Sequence, residues 1–495
     1  MRQGPVFIKR KSISDLAEWL VSPNRKPLIL RGARQVGKST LVRQLALENK
    51  IALVEINLEE NFELESVFKS LKMDRIISEL SAISKQKINE KCILFLDEVQ
   101  ACPSALAALR YFYEKFPQIP VIAAGSLLEF VLEEHDFSMP VGRVDYYHLH
   151  PLSFKEFVHA QCSEVELEHI ENFVAQKTDF IPDSVHQHFM NMLSAYLLVG
   201  GMPAITRQFL ASFDEHDVFQ SINTAQLTLL NSFRDDFVKY RKKTKPETLL
   251  SILNSLPNII GNVKVKYSSI LPNERQEVVK RGTEYLVLAG IINKVTSVSC
   301  NSVPLLATEN SKFFKIVPLD VGLFLGALFS ASQTPATQMS LLKKWDHGIV
   351  FEQAWLSQMT ECFVGQSLLS KKNIDKTLHY WIRETKSSNA EVDYIVEFGG
   401  RIVPIEVKTG HSGKLKSLHS LMAEKGLPFA VRFDANPPSV QNISSDVHVI
   451  HSEVKTAKYT LLNLPLYLAD WLEDILRAHK NTAHFANSAN TGGQA

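Results

Sequence analysis

Gly32-Ala33-Arg34-Gln35-Val36-Gly37-Lys38-Ser39-Thr40 is the stretch on which the fold turns. It satisfies G-x-x-x-x-G-K-[ST], the P-loop pattern, in full. Pro27-Leu28-Ile29-Leu30 ahead of it reads as a short buried strand, and Thr40-Leu41-Val42-Arg43-Gln44-Leu45-Ala46 behind it as an amphipathic helix. Strand, loop and helix in that order are the setting the pattern requires. The backbone N–H groups of such a loop, backed by a helix N-terminus, make a concave cradle for phosphate oxygens. Glycine permits the close approach and the positive φ values. Lys38 then neutralises the β- and γ-phosphates of a bound nucleotide, and Ser39 holds Mg²⁺. The expected ligand is ATP with Mg²⁺, held by Gly32, Ala33, Arg34, Gln35, Val36, Gly37, Lys38, Ser39 and Thr40.

A second apolar run, Cys92-Ile93-Leu94-Phe95-Leu96, ends in Asp97-Glu98. At the C-terminal end of a strand, Asp97 is placed to order the Mg²⁺ shell, and Glu98 to polarise a water for attack on the γ-phosphate. Further strands are expected at Leu28–Arg31, Ala52–Asn57 and Val121–Ala124, with a helix over 105–115. Alternation of that kind predicts a parallel α/β sheet.

With GARQVGKST at 32–40 and LDEVQ at 96–100, the sequence resembles a bacterial and archaeal branch of the AAA+ ATPases. Ala124-Gly125-Ser126 resembles the sensor-1 strand end, which makes Ser126 a reader of the γ-phosphate or of the water. Gly142-Arg143 precedes Leu149-His150-Pro151-Leu152-Ser153-Phe154-Lys155-Glu156-Phe157, another motif of the branch. The resemblance makes Arg143 an arginine-finger candidate; the bland reading is an ordinary surface arginine. Gly200-Gly201-Met202-Pro203 resembles the lid element that sets Pro203 near the adenine, or is a plain helix-ending turn. The branch implies a P-loop AAA+ core (1–150), a helical lid (151–245), a winged helix (246–310) and a C-terminal α/β domain similar to PD-(D/E)XK restriction endonucleases (311–478); the polar, Gly/Ser/Asn-rich residues that follow read as a disordered tail (479–495). Rings are common among AAA+ proteins, so a homo-oligomer is an expectation.

The residues support these divisions in their own way. Ser153 with Glu156 makes a capping box that opens a helical stretch. A basic run, 239–245, closes it as a linker or surface stripe. Helices near 247–255 and 275–289, the second ended by Gly290, precede a strand at 291–296, the order of a winged helix-turn-helix. Asn273, Arg275, Lys280 and Arg281 there could contact phosphates of DNA or another nucleic acid. Farther on, Glu391 to Phe398 and Ile402 to Lys408 flank Gly399-Gly400 as a hairpin. Strand period sets Glu406 and Lys408 on one face of Pro404-Ile405-Glu406-Val407-Lys408. Asp393 and Glu406 are candidate ligands for a divalent cation, with Lys408 balancing charge, and Glu352 matches the upstream helical acid of the nuclease pattern. The alternative is a solvated charge pair. Pro404 argues for a sheet edge or a bulge.

The bulk numbers exclude little. In 495 residues, Lys+Arg number 54 and Asp+Glu 53, so net charge points to no polyanionic partner. The apolar runs near 119–128 and 321–330 are too short for a bilayer, the N-terminus shows no secretory core, and a cytoplasmic chain is expected. Five scattered cysteines without C-x-x-C argue against a disulfide framework or a zinc ribbon. Two readings follow: an ATPase acting with nucleic acid and carrying a nuclease domain, or an ATP-controlled switch whose C-terminal domain only binds a partner.

Overall fold

The computed structural model describes residues 8–125, 142–212, 218–240, 244–326, 353–371, 377–385, 388–448 and 454–479. Ser126, Glu352, residues 241–243 of the basic run and the tail from 480 onward lie outside them.

Five parallel strands form the first sheet: β1 (Leu28–Arg31), β2 (Ala52–Asn57), β3 (Cys92–Asp97), β4 (Val121–Ala124) and β5 (Asp145–His148), in the order β2-β3-β4-β1-β5. Crossover helices cover both faces, so the strands are apolar on both sides. Leu28 and Leu30 enter one core with Phe95 and Ile122, while Ile29 enters the other with Leu94, Leu96 and Ala123. Continuous rather than alternating apolar runs are what a parallel sheet buried on both faces demands. Helix Lys38–Glu48 follows β1 directly and buries Leu41, Val42 and Leu45 against the first core.

Helices dominate the described residues between 154 and 259. Ser153 caps the first of them, Phe154–His159, and Glu156 returns the bond, so the capping box is complete. Helices Pro246–Ile259, Tyr267–Ile270 and Gln276–Leu288 then lead into β6 (Ile292–Val298) and β7 (Glu309–Pro318).

The second sheet has eight strands in the order β12-β13-β11-β10-β9-β8-β6-β7, with β8 (Leu378–Thr385), β9 (Ser388–Phe398), β10 (Arg401–Val407), β11 (Phe429–Asp434), β12 (Ser439–His448) and β13 (Val454–Pro465). The β6–β7 ribbon is therefore not a free wing. Val295, Thr296 and Ser297 pair in parallel with Leu378, His379 and Tyr380 of β8, and the expected boundary at 310/311 falls inside β7. The Gly399-Gly400 hairpin forms with both glycines at positive φ and Phe398 opposite Arg401. Pro404 corrects an expectation: β10 lies inside the sheet, not at its edge. The ladder with β11 covers only Ile405 to Val407, so at Pro404 it has not begun and the missing N–H is tolerated there.

One face of this sheet shares a continuous core with the first sheet and the helical segment; the other packs on helix Lys416–Lys425 through Leu418, Leu421 and Met422. No helix among the described residues is long and apolar enough to cross a membrane.

Candidate functional site

The loop between β1 and helix Lys38–Glu48 turns through Gly32 (φ 140°), Gln35 (φ 62°) and Gly37 (φ 97°). A Cβ on Gly32 would lie 2.3 Å from the Leu149 carbonyl oxygen, so glycine is the residue that fits. Lys38 is 8% exposed and donates to the carbonyls of Gly32 and Ala33, both at 3.0 Å. Burial lowers its pKa to about 8, although Glu98 and Asp97 pull the other way. The ammonium is thus parked on the loop's own backbone, where a phosphate would offer it a better partner.

Ser39 donates to Asp97 Oδ2 at 2.6 Å, which brings a helix hydroxyl and a strand-end carboxylate to one point. Burial, above all, raises the Asp97 carboxyl. Two hard oxygens converging at the cradle fit the donor set Mg²⁺ takes. Glu98 follows at φ 51°, left-handed backbone that costs a non-glycine residue about 1 kcal/mol or more and recurs at functional sites. Gln100 donates to Glu98 Oε2 at 2.5 Å and lies against Gly125 at the end of β4, fixing the Glu98 carboxylate.

Contacts from remote segments position the loop, and Arg10, Ser232 and Asp236 among them had no signal in the sequence motifs. Arg10 is buried; it donates to the Val36 carbonyl at 3.3 Å, the His150 carbonyl at 2.7 Å and Glu156 at 3.2 Å, tying the loop to the capping box. Arg34 pairs with Asp236 and Gln35 donates to Ser232 at 3.4 Å, both on helix Val218–Asp236. Pro203 packs against Gly37, 3.5 Å from where its Cβ would stand, and Gly290 meets Ala33 at the same range. Arg34 and Asp236 lie 202 residues apart, a distance over which neither predicts the other.

Arg143 does not reach this cradle. It precedes β5, whose Asp145 pairs with Leu28, whereas the loop leaves β1 after Arg31, at the opposite end of the sheet. Its side chain is 45% exposed and meets Glu114 at 3.2 Å.

In the second sheet, Asp393 accepts from the Val407 N–H at 2.8 Å, and Lys408 donates to Glu406 Oε1 at 2.6 Å. Glu406 is 4% exposed, so it is not a solvated partner. Burial, then the Asp393 charge, pushes its carboxyl up, while Lys408 opposes. Three acids converge beside this pair: ligand oxygens of Glu361, Glu391 and Asp393 all lie within 4.8 Å of one another. Glu361, on helix Gln353–Ser370, is the helical acid that reaches the cluster. Lys315 of β7 sits among the three. Its ammonium is 2.7 Å from Glu361 and 3.7 Å from Asp393, and pairs with Glu391. Burial opposes its charge, but the three carboxylates outweigh burial and hold its pKa well above the ordinary value. A cation already occupies the place, so these acids do not fit a divalent metal while Lys315 is there. A signal existed: Lys315 interrupts Phe313-Phe314-Lys315-Ile316-Val317, and a lysine inside a buried strand must be paired.

The helical segment is tied to this sheet. Gly201 N–H donates to buried Asp320 at 2.5 Å, and His186 bonds Tyr467 at 3.1 Å and the Ala435 carbonyl at 3.2 Å.

Residues 24–158 match the AAA domain. Residues 190–334 match a domain of unknown function (DUF8612), and 356–437 another (DUF4143). No curated protein matches the chain. Among solved structures, the Aeropyrum pernix ORC1 protein in complex with DNA is 12% identical, with 66% of this chain and 93% of that one covered and a TM-score of 0.28. The Aeropyrum pernix ORC2 protein, in ADPNP–ADP complexes, is 11% identical over 66% and 96%, with a TM-score of 0.33. The Thermotoga maritima RuvB Holliday junction branch migration motor is 14% identical over 58% and 90%, with a TM-score of 0.27. The stretch that builds the phosphate cradle and carries Asp97 and Glu98 has a parallel α/β P-loop fold and is similar to AAA domains.

Proposed function

We propose that this chain binds MgATP and hydrolyses it, and that the bound nucleotide sets the position of the helical segment and the second sheet. The convergence of Lys38, Ser39, Asp97 and Glu98 at the C-terminal ends of β1 and β3 carries the reading. In it, Lys38 leaves the Gly32 and Ala33 carbonyls for the β- and γ-phosphates. Ser39 and Asp97 hold Mg²⁺, which screens the charge that develops on the phosphoryl oxygens. Glu98 takes the proton of the attacking water as its oxygen bonds to the γ-phosphorus and the bond to the β–γ bridging oxygen breaks. Lys38→Ala should lower nucleotide affinity or turnover by about 10²–10³-fold, the range for a lost charge-stabilising donor. Unchanged binding and hydrolysis would reject the assignment. Ser126 and Pro203 complete the site in this reading, Ser126 toward the γ-phosphate and Pro203 beside the adenine. Arg143, at the far end of the sheet, acts on a neighbouring copy in a homo-oligomer. A loss below tenfold in Arg143→Ala would leave it a surface ion pair.

The switch reading is favoured over cleavage by the Lys315 ammonium. The unit at 246–310, expected as a winged helix, offers the nucleic-acid contact in this reading through Arg275, Lys280 and Arg281, which are exposed. The C-terminal sheet then serves as a nuclease-like binding module. Nucleotide-linked movement has a route through Arg34–Asp236, Gly290–Ala33 and Asp320–Gly201. Assays for cleavage of single- and double-stranded DNA and RNA with Mg²⁺ or Mn²⁺, with and without ATP, decide between the readings. Cleavage lost in Asp393→Ala with ATP hydrolysis intact would restore the nuclease.

A further inference from the structure

Cys162, Glu166 and His188 meet at one point of the helical segment, remote from both sites above. Cys162 Sγ lies 3.9 Å from His188 Nε2, and His188 Nε2 lies 3.4 Å from Glu166 Oε1. All three donor atoms fall within 4.8 Å of one another. Two elements supply them: the start of helix Glu164–Val174 with the residue before its cap, and helix Asp183–Val199.

We propose that these three side chains form a binding site for one transition-metal ion of the Zn²⁺ class. The donor set is a cysteine sulfur, an imidazole and a carboxylate, the three ligand types Zn²⁺ takes; burial raises the Cys162 thiol, so binding must displace its proton. Ordinary Zn–S, Zn–N and Zn–O bonds at tetrahedral angles give S···N and N···O edges of about 3.6 and 3.4 Å. The N···O edge already fits and the S···N edge needs to close by a few tenths of an ångström, while the S···O edge, within 4.8 Å, must reach about 3.6 Å. Glu166 is prepared for the role. Its Oε2 accepts from the Ser163 N–H at 2.9 Å and the Ser163 hydroxyl at 2.7 Å, which leaves Oε1 turned toward His188. An outer shell that fixes a ligating carboxylate is what such centres use. Met192 Sδ, 3.2 Å from the thiol, lines the buried side. The His188 side chain is 47% exposed, so the ion has a path in and the fourth position is left to water. Bound there, the ion cross-links two helices of the segment that carries Pro203 and Asp236.

The chain offers a clean readout, because the other four cysteines are buried and Cys162 alone is partly exposed. Metal-free full-length protein is titrated with Co²⁺ and followed by thiolate-to-cobalt charge-transfer absorbance, a signal the oxygen ligands of an ATP site cannot give. The expected result is one ion per chain, no band in Cys162→Ser, and affinity lowered by about tenfold or more in His188→Ala and Glu166→Gln. Zn²⁺ should displace the cobalt and raise the melting temperature of the wild type but not of Cys162→Ser. Circular dichroism checks that the variants fold; all three substitutions are at accessible positions. Absence of the band in folded wild type, or its persistence in Cys162→Ser, overturns the site.

Discussion

Lys38 and Lys315 are both buried lysines with carboxylates close by, and their environments differ in a way that separates a receptive site from a closed one. Lys38 rests on two carbonyl oxygens, and the nearby acids are not within its hydrogen bonds. Burial dominates, and its pKa falls to about 8. Lys315 is enclosed by three carboxylates, which dominate burial and raise its pKa. The first ammonium hydrogen-bonds no anion, and a bound phosphate would supply one. The second already has its anions, and the acids around it have their cation. The number and distance of the acids, not the lysine, set what each site can accept.

The comparison breaks or sharpens on four measurements. The largest effect is expected from Lys315→Met, which leaves three acids crowded without a counter-charge. Removing one partner of a buried ion pair costs about 3–5 kcal/mol, read by denaturant unfolding. Mn²⁺ should recover part of that in the variant and do nothing comparable for the wild type. Equal Mn²⁺ stabilisation of both would show that Lys315 does not occupy the cation position. Next, Glu98→Gln should keep ATP bound and slow hydrolysis by about 10²-fold or more; wild-type turnover would remove Glu98 from the role of base.

A smaller effect is expected from pH. In the free chain Lys38 is charged below about pH 8 and neutral above it. Phosphate binding favours the ammonium, so above pH 8 each binding event takes up a proton. Affinity should be flat below that pH and fall by up to about tenfold per unit above it, as titration with a fluorescent nucleotide would report. A flat profile to pH 10 would mean that the amine is not depressed. For folding the sign is opposite: a lysine with a lowered folded pKa binds fewer protons folded than unfolded. Its contribution to the ligand-free chain's stability therefore rises as pH climbs from about 8 toward 10.5. The smallest effect belongs to Asp236→Ala. The Arg34 side chain is 41% exposed, so solvent screens the pair and under about 1 kcal/mol of stability is expected. A change in ATP affinity larger than that would mark the pair as a latch on the loop.

Much of the first sheet was legible because each strand is a short apolar run buried on both faces. β1, β2 and β4 fall where the residues alone put them, and β3 runs one residue longer. The cradle was legible because a local motif makes it. The rest depends on contacts between remote segments. β6 reads as the strand of a free ribbon since nothing near it in sequence announces β8. Glu361 is the only acid of helix Gln353–Ser370, but it follows no motif, and only the packing of that helix on β7 and β9 brings it to the cluster, whereas Lys315 is legible as a charge in an apolar strand. Pro404 misled because a proline's cost depends on where a neighbouring strand begins, which is a property of register and not of sequence.

The parallel pairing of β6 with β8 also bears on how the chain is made. Thr296 and its partner His379 are 83 residues apart. At about 5–20 residues per second of synthesis, the free edge of β6 waits some 4–17 s before β8 has been translated. Throughout that interval an apolar edge is open to pairing with another nascent chain. Lys294, beside Val295 in β6 and bonded to Glu284 at 2.7 Å, puts a charge on that strand before its partner exists.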